Sequence, residues 1–246
     1  MNTTTKTVIG VIIFSIAMAA LESAVVVYLR ALYYPGEFTV ALRLIEEKIL
    51  LVEIAREAAT VIMLGAIGYL CGRNFKDRFA YFLLSFAVWD IFYYIWLKVF
   101  INWPATIMDW DILFLIPITW LGPVLAPVIC SVSMIVLSYM LITRSSQYVI
   151  SKQVWSFLLL GCALILYTFI KDYSAILIDN NLLSDYANIM QNETFVRIAS
   201  SYIPTSFNWA IFICGEGLIL IGTFFVYRSE QDHSVVNEML KFIPKT

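Results

Sequence analysis

Histidine is almost missing from this chain: His233 is the only one in 246 residues, and it lies in the polar C-terminal tail, outside every apolar run. That excludes a haem held by two histidines, and a histidine-rich zinc, copper or di-iron site as well. A metal bound here would take mainly oxygen ligands, so a divalent ion of the magnesium, calcium or manganese kind is the one cofactor class left open. Cysteine is sparse too. Cys71, Cys130, Cys162 and Cys214 stand alone within apolar runs without a C-x-x-C pair, which fits small packing residues. Charge is scarce at 14% of residues, against about 25% in ordinary soluble domains. There is no basic patch or arginine-rich run, which argues against nucleic acid as a partner. Also missing are a P-loop, an H-E-x-x-H, a G-x-S-x-G and any serine–histidine pair within the apolar runs.

Apolar residues are what the chain has in excess. They make up 61% of it, and the mean hydropathy is +0.83. A soluble fold cannot hide that much apolar surface, so the surrounding solvent is expected to be lipid. Runs long enough to span a bilayer predict an all-α integral membrane protein of about six transmembrane helices, at about 8–29, 49–71, 79–100, 124–142, 154–176 and 207–227. They form one domain, 1–227, with a tail at 228–246. Lys6 followed by an apolar run and Ala17-Met18-Ala19 resembles a signal peptide, but the run continues to Leu29, so a retained first helix is expected. Arg43, Glu46, Glu47 and Lys48 suggest a short interfacial helix before the second span. Pro117, Gly122-Pro123 and Pro127 interrupt the apolar region 112–142, which predicts a short outer or re-entrant segment, Ile112–Leu121, before the fourth span. Lys6, Arg73, Lys76, Arg78, Arg144, Lys152, Arg228, Lys241 and Lys245 fall on one side of this arrangement, so both termini are expected to be cytoplasmic. No internal repeat or low-complexity tract is present.

The ionisable residues inside the spans are unevenly placed. At 1.5 Å rise per residue, Glu22 lies about 10 Å below the outer end of its span, Glu53 and Glu57 about 6 and 12 Å, Glu216 about 14 Å and Asp90 about 15 Å. Four helices thus put carboxylates at a similar level, and the inner half has nothing comparable. A charge at a lipid-facing helix centre costs roughly 2.5–3.5 kcal/mol or more, so these groups are expected to face the bundle interior. Crowded carboxylates must hold a proton, pair with Arg56 or Lys98, or bind a cation. Glu53 and Glu57 share a helix face at i, i+4, and Arg56 reaches Glu53 at i+3. An ion-pair network that only fixes packing is one reading. The other is an ion, proton or ligand pocket made of Glu22, Glu53, Arg56, Glu57, Asp90 and Glu216, in which Glu22, Glu57, Asp90 and Glu216 are the ligands of any metal.

Lys98, Asp109 and Asp111 lie on the outer side, above this layer. They read either as the mouth of the pocket or as a solvated interfacial segment anchored by Trp110. Trp89, Trp96, Trp103 and Trp110 recur every seven residues, as an aromatic belt or as a stacking wall for a flat ligand such as a quinone. Gly68 and Gly72 form a G-x-x-x-G expected at a close helix contact. Lys171-Asp172 reads as a snorkelling pair or as part of the pocket rim, and Asn192-Glu193-Thr194 matches a glycosylation sequon.

The strings Leu21-Glu22-Ser23, Glu53-Ile54-Ala55-Arg56-Glu57-Ala58-Ala59-Thr60, Trp89-Asp90-Ile91-Phe92-Tyr93-Tyr94 and Asp109-Trp110-Asp111 resemble those of uncharacterised bacterial polytopic membrane proteins. The resemblance covers the first four spans. It implies a multi-pass protein of the bacterial inner (plasma) membrane, attaches no activity, and transfers no functional residue. Three functions stay open. The first is proton- or cation-coupled transport of a small solute or ion through an outward-facing site. The second is a non-catalytic subunit of a larger membrane complex, respiratory for example, with other subunits as partners. The third is a membrane-embedded enzyme acting on a lipid headgroup through an oxygen-ligated divalent metal.

Overall fold

A computed structural model describes residues 3–33, 47–145, 147–182, 192, 194–195, 197–198, 202 and 204–241, with the backbone alone for residue 47 and for 230–241. Six helices account for most of these residues: α1 (Thr3–Tyr33), α2 (Glu47–Cys71), α3 (Phe75–Ile101), α4 (Leu125–Thr143), α5 (Lys152–Asp179) and α6 (Trp209–Lys241). Five of them are long and apolar enough to cross a membrane: α1, α3, α4, α5 and the Trp209–Ser229 part of α6. This architecture is compatible with an all-α, multi-pass membrane protein. Each helix contains its predicted span almost whole and extends past it by a few residues. α6 extends furthest, running through the expected tail to Lys241. Lys48 belongs to α2 itself, whereas Arg43 and Glu46 lie outside the described residues, as does Glu193 of the sequon.

Local sequence explains where the helices start and stop. Asn74 caps α3 by accepting from the Asp77 N–H at 2.9 Å, and Asn102 ends it in the left-handed region at φ 54°. Ser151 caps α5 by accepting from the Val154 N–H at 3.2 Å. Pro127 does not interrupt α4. It sits in the first turn, where a missing N–H removes no helical hydrogen bond.

The segment expected to be a short re-entrant piece is a β-hairpin. β1 (Trp110–Phe114) pairs antiparallel with β2 (Trp120–Pro123), and Phe114 stands opposite Trp120. Aromatic and β-branched residues favour the extended form here, and Pro117 falls in the turn, where no ladder bond is lost. The pairing also satisfies backbone groups that the protein interior would otherwise strand.

α3 is the central post, with α1, α2 and α4 all packed on it, while α6 packs on α5 and α4 and β2 leans on α5 and α4. The main apolar core runs between α3, α4, α5 and α6, and two smaller clusters join α1, α2 and α3. The outer faces are apolar: Ile62 is 69% exposed and Leu70 75%. Glycine makes the tightest helix contacts. A Cβ on Gly72 would lie 2.3 Å from the Arg78 nitrogen, and one on Gly68 would lie 2.8 Å from the Arg78 carbonyl oxygen, so the G-x-x-x-G seats α2 against the start of α3. Gly161 and Gly215 do the same for α5 and α6, where a Cβ on Gly161 would come within 2.7 Å of the Gly215 carbonyl oxygen.

Gly72→Val is expected to destabilise the protein by about 1–3 kcal/mol through overpacking. Gly10→Ala, whose added Cβ meets nothing within 4 Å, should hold or slightly raise the midpoint, because alanine favours the helix interior. Thermal unfolding of the two variants in the same detergent checks the difference.

Candidate functional site

A cavity of about 390 Å3 lies among the helices, and all six of them contribute to its wall along with both strands of the hairpin. Its charged lining is Glu22 from α1, Arg56 and Glu57 from α2, Asp90 from α3 and Glu216 from α6. Most of the remaining surface is aromatic or aliphatic. Glu57 and Asp90 are each 8% exposed and Glu216 7%, in a chain whose outer faces are apolar. Five of the six expected pocket residues therefore share one cavity.

The acidic residues divide into two groups by their partners. Arg56 forms an ion pair with Glu22, and its Nε donates to Glu53 Oε2 at 2.8 Å. Thr60 adds a hydroxyl hydrogen bond to Glu22 at 3.1 Å. This bridge between α1 and α2 balances much of its own charge. Glu53 belongs to it, but does not line the cavity.

The other three carboxylates are held by neutral donors. Asp90 Oδ2 accepts from the Ser131 hydroxyl at 2.7 Å. Glu216 Oε2 accepts from the Ser133 hydroxyl at 2.6 Å. Glu57 Oε2 accepts the Leu115 backbone N–H at 2.8 Å and so grips the turn of the hairpin. Ser131 and Ser133 are two residues apart on a helix, about 200° around its axis, so α4 reaches Asp90 on α3 with one and Glu216 on α6 with the other. Glu216 Oε1 makes no hydrogen bond with any described residue, and the Cys130 thiol lies beside this carboxylate. The Gly161–Gly215 contact lies next to Glu216 and fixes how close α6 stands to α5.

One aromatic file runs along the wall. Trp89 meets Phe114 at 6.2 Å, Phe114 meets Trp120 at 5.3 Å, and Trp120 stacks on Phe169 at 6.0 Å. The indole N–H groups of Trp89 and Trp120 have no partner among the described residues. Of the four tryptophans at seven-residue spacing, only Trp89 is on the cavity wall. Trp96 donates to the Ile16 carbonyl at 3.1 Å, Trp103 carries the Arg30 guanidinium 3.8 Å above its ring, and Trp110 packs on Phe207.

The residues expected at the mouth of the pocket serve other purposes. Lys98 is exposed and donates to the Asn102 and Pro104 carbonyls, which closes the end of α3. Asp109 accepts from the Ala105 and Thr106 N–H groups and from the Thr106 hydroxyl. Partial burial acts to raise its pKa, but these hydrogen bonds and nearby Lys98 outweigh it and hold the carboxyl below its usual value. Asp111 is buried and pairs with Arg30 at 3.3 Å, tying β1 to the end of α1. Tyr94, on the cavity wall, hydrogen-bonds to Asp111 from behind. Lys171 and Asp172 do pair, at 3.5 Å, but neither lines the cavity. The proposed metal ligands Glu22, Glu57, Asp90 and Glu216 are spread around the wall. Among the described residues no three His, Cys, Asp or Glu side chains form a group that could hold a metal ion.

Sequence reasoning passes over Ser131, Ser133, Trp120, Phe169 and the Gly161–Gly215 contact. Only the serines left a trace, as hydroxyls in an otherwise apolar span.

No family model, curated protein or solved structure matches this chain. The division of the acids is itself testable. Arg56→Met strands two carboxylates and is expected to cost about 1–3 kcal/mol, less than the 3–5 of a fully buried pair because the guanidinium keeps some exposure. Adding Glu22→Gln and Glu53→Gln should recover most of that loss in the same unfolding assay. Asp109→Asn should loosen only its own loop. Because the Asp109 pKa is depressed in the fold, its stabilisation is present at neutral pH and lost as the pH falls through the folded value. The hydrogen-exchange protection factors at residues 105–109 should therefore fall in acid in the parent and already be low at neutral pH in the variant.

Proposed function

We propose that this chain is a six-span protein of a bacterial inner membrane, with both termini cytoplasmic, that couples the movement of a proton or cation to transport of a small solute or ion. α2 is the sixth span. Its charged N-terminal half turns Glu53 and Glu57 inward, and its C-terminal half is apolar. The basic loops put the hairpin end of the bundle outside, so the cavity belongs to the outer half of the membrane.

The observation that carries this reading is the position and partnering of Glu57, Asp90 and Glu216. All three are buried on one cavity wall, and their direct hydrogen-bond partners are neutral. A structural network would set a cation directly against its carboxylates, as Arg56 is set against Glu22 and Glu53. A serine hydroxyl donates to a carboxylate and accepts from a carboxylic acid, so Asp90 and Glu216 keep a partner in either protonation state. That is what a group exchanging protons or cations requires. Glu57 adds the coupling element. Its charge holds the hairpin turn, and protonation weakens a charge-assisted hydrogen bond to that turn, so proton binding and movement of an outer wall are linked. Arg56, which also lines the cavity, is near enough to Glu57 to act on its charge.

Reconstitution tests the reading. Proteoliposomes loaded with a pH-sensitive dye are challenged with sodium, potassium, small organic ammonium ions and small carboxylates in turn. At least one should change the internal pH faster than in protein-free liposomes, at a rate that depends on the imposed gradient. A Glu57→Gln, Asp90→Asn double variant of normal thermal stability should abolish that change. A wild type that responds to none of these solutes, or a folded double variant that responds unchanged, overturns the proposal.

A further inference from the structure

The cavity's unmatched polar atoms and its wall chemistry specify a ligand class. Four carboxylates and one guanidinium line it, and three of those carboxylates form no salt bridge among the described residues. A bare inorganic ion needs about six oxygens or more converging within about 2.0–2.6 Å. These carboxylates instead come from α2, α3 and α6 and form no metal-holding group among the described residues, and aromatic rings share the wall with them. Dispersed negative charge around an aromatic wall suits a cation whose charge sits on an organic body, because ring faces and carboxylates both attract it. The volume of about 390 Å3 falls within the range of about 300–1,000 Å3 typical of small-molecule sites.

Two buried side chains sharpen the class. Among the described residues Glu216, 7% exposed, has at Oε1 no donor beyond the nearby Cys130 thiol, and Trp89, 5% exposed, has no acceptor for its indole N–H. Trp120, also on the wall, has a second indole N–H unmatched among the described residues. Buried polar atoms are nearly always paired, and these three are closed off even from water in this conformation, so a ligand in the cavity would meet them once the wall side chains turn toward it. Resting on the transport reading of this same site, we propose that the cavity binds an amphipathic organic ammonium ion. Its N–H donates to Glu216, its flat apolar body lies along Trp89, Phe114, Trp120 and Phe169, and an acceptor atom on it meets an indole N–H.

Dansylcadaverine is a suitable probe. It is a primary ammonium with an aromatic body and sulfonyl acceptors, and it accepts energy from tryptophan. With the full chain in nanodiscs, its binding should saturate, with energy transfer from protein tryptophan. Its uncharged N-acetyl derivative should bind about tenfold more weakly or worse, the scale of one charge-assisted hydrogen bond. Glu216→Gln should weaken the ammonium probe by a similar factor and leave the neutral derivative unchanged, and Lys98→Gln should alter neither. Equal binding of the charged and neutral probes by the wild type overturns the inference and requires no variant to fold. A folded Glu216→Gln protein with undiminished preference for the ammonium also overturns it. Ammonium-selective binding without any gradient-driven flux would sustain this inference while removing the transport reading. Flux of inorganic ions with no ammonium preference would do the reverse.

Discussion

A bilayer would not accommodate the carboxylates this chain carries in its apolar helices. Each one turned toward lipid would cost a few kcal/mol, and several together would approach the whole stability of an ordinary domain. Much of the architecture answers to that constraint. Glu53, Glu57, Asp90 and Glu216 point inward from three helices, the large exposed side chains of those helices are apolar, and the bundle closes around a cavity to which each helix contributes.

Turning the charges inward leaves the question of what balances them, and the molecule has two answers. Near α1 and α2, and again at the hairpin, arginine meets acid: Arg56 with Glu22 and Glu53, Arg30 with Asp111. Deeper along the wall, hydroxyls and a backbone N–H meet acid. Arginine fixes a charge permanently, whereas a hydroxyl tolerates its coming and going. In the proposed transport reading, the boundary between these two kinds of partner separates the scaffold from the part of the site that exchanges protons or cations.

The hairpin connects the two parts. Its first strand is anchored through Asp111 to Arg30, and its turn is held by Glu57. Phe114 and Trp120 supply the middle of the aromatic file, while Gly122 lets β2 approach the Phe169 ring, since a Cβ there would come within 3.0 Å of it. One short sheet thus completes the wall and ties it to a carboxylate. An all-helical segment with the same prolines would leave buried backbone groups unmatched.

The sequence by itself determined the helices, their approximate ends and which helices carry the acidic side chains. Those follow from hydropathy, caps and a fixed rise per residue, and each is a property of a single segment. It also indicated that Glu22, Glu57, Asp90 and Glu216 belong near one another, because sheltering them separately costs more than sheltering them together. The tertiary structure alone decided which acid meets which partner. Glu53 went to Arg56 and left the cavity wall, Asp109 turned to cap its own loop, and Ser131 and Ser133 became partners of Asp90 and Glu216. Three of the four evenly spaced tryptophans went to packing, while Trp120, outside that series, reached the cavity. Depth along a helix is written in residue number, but azimuth and neighbour depend on how helices pack. Here that packing is set by contacts between glycines far apart in the chain, such as Gly161 and Gly215, and by a hairpin whose pairing no local periodicity announced.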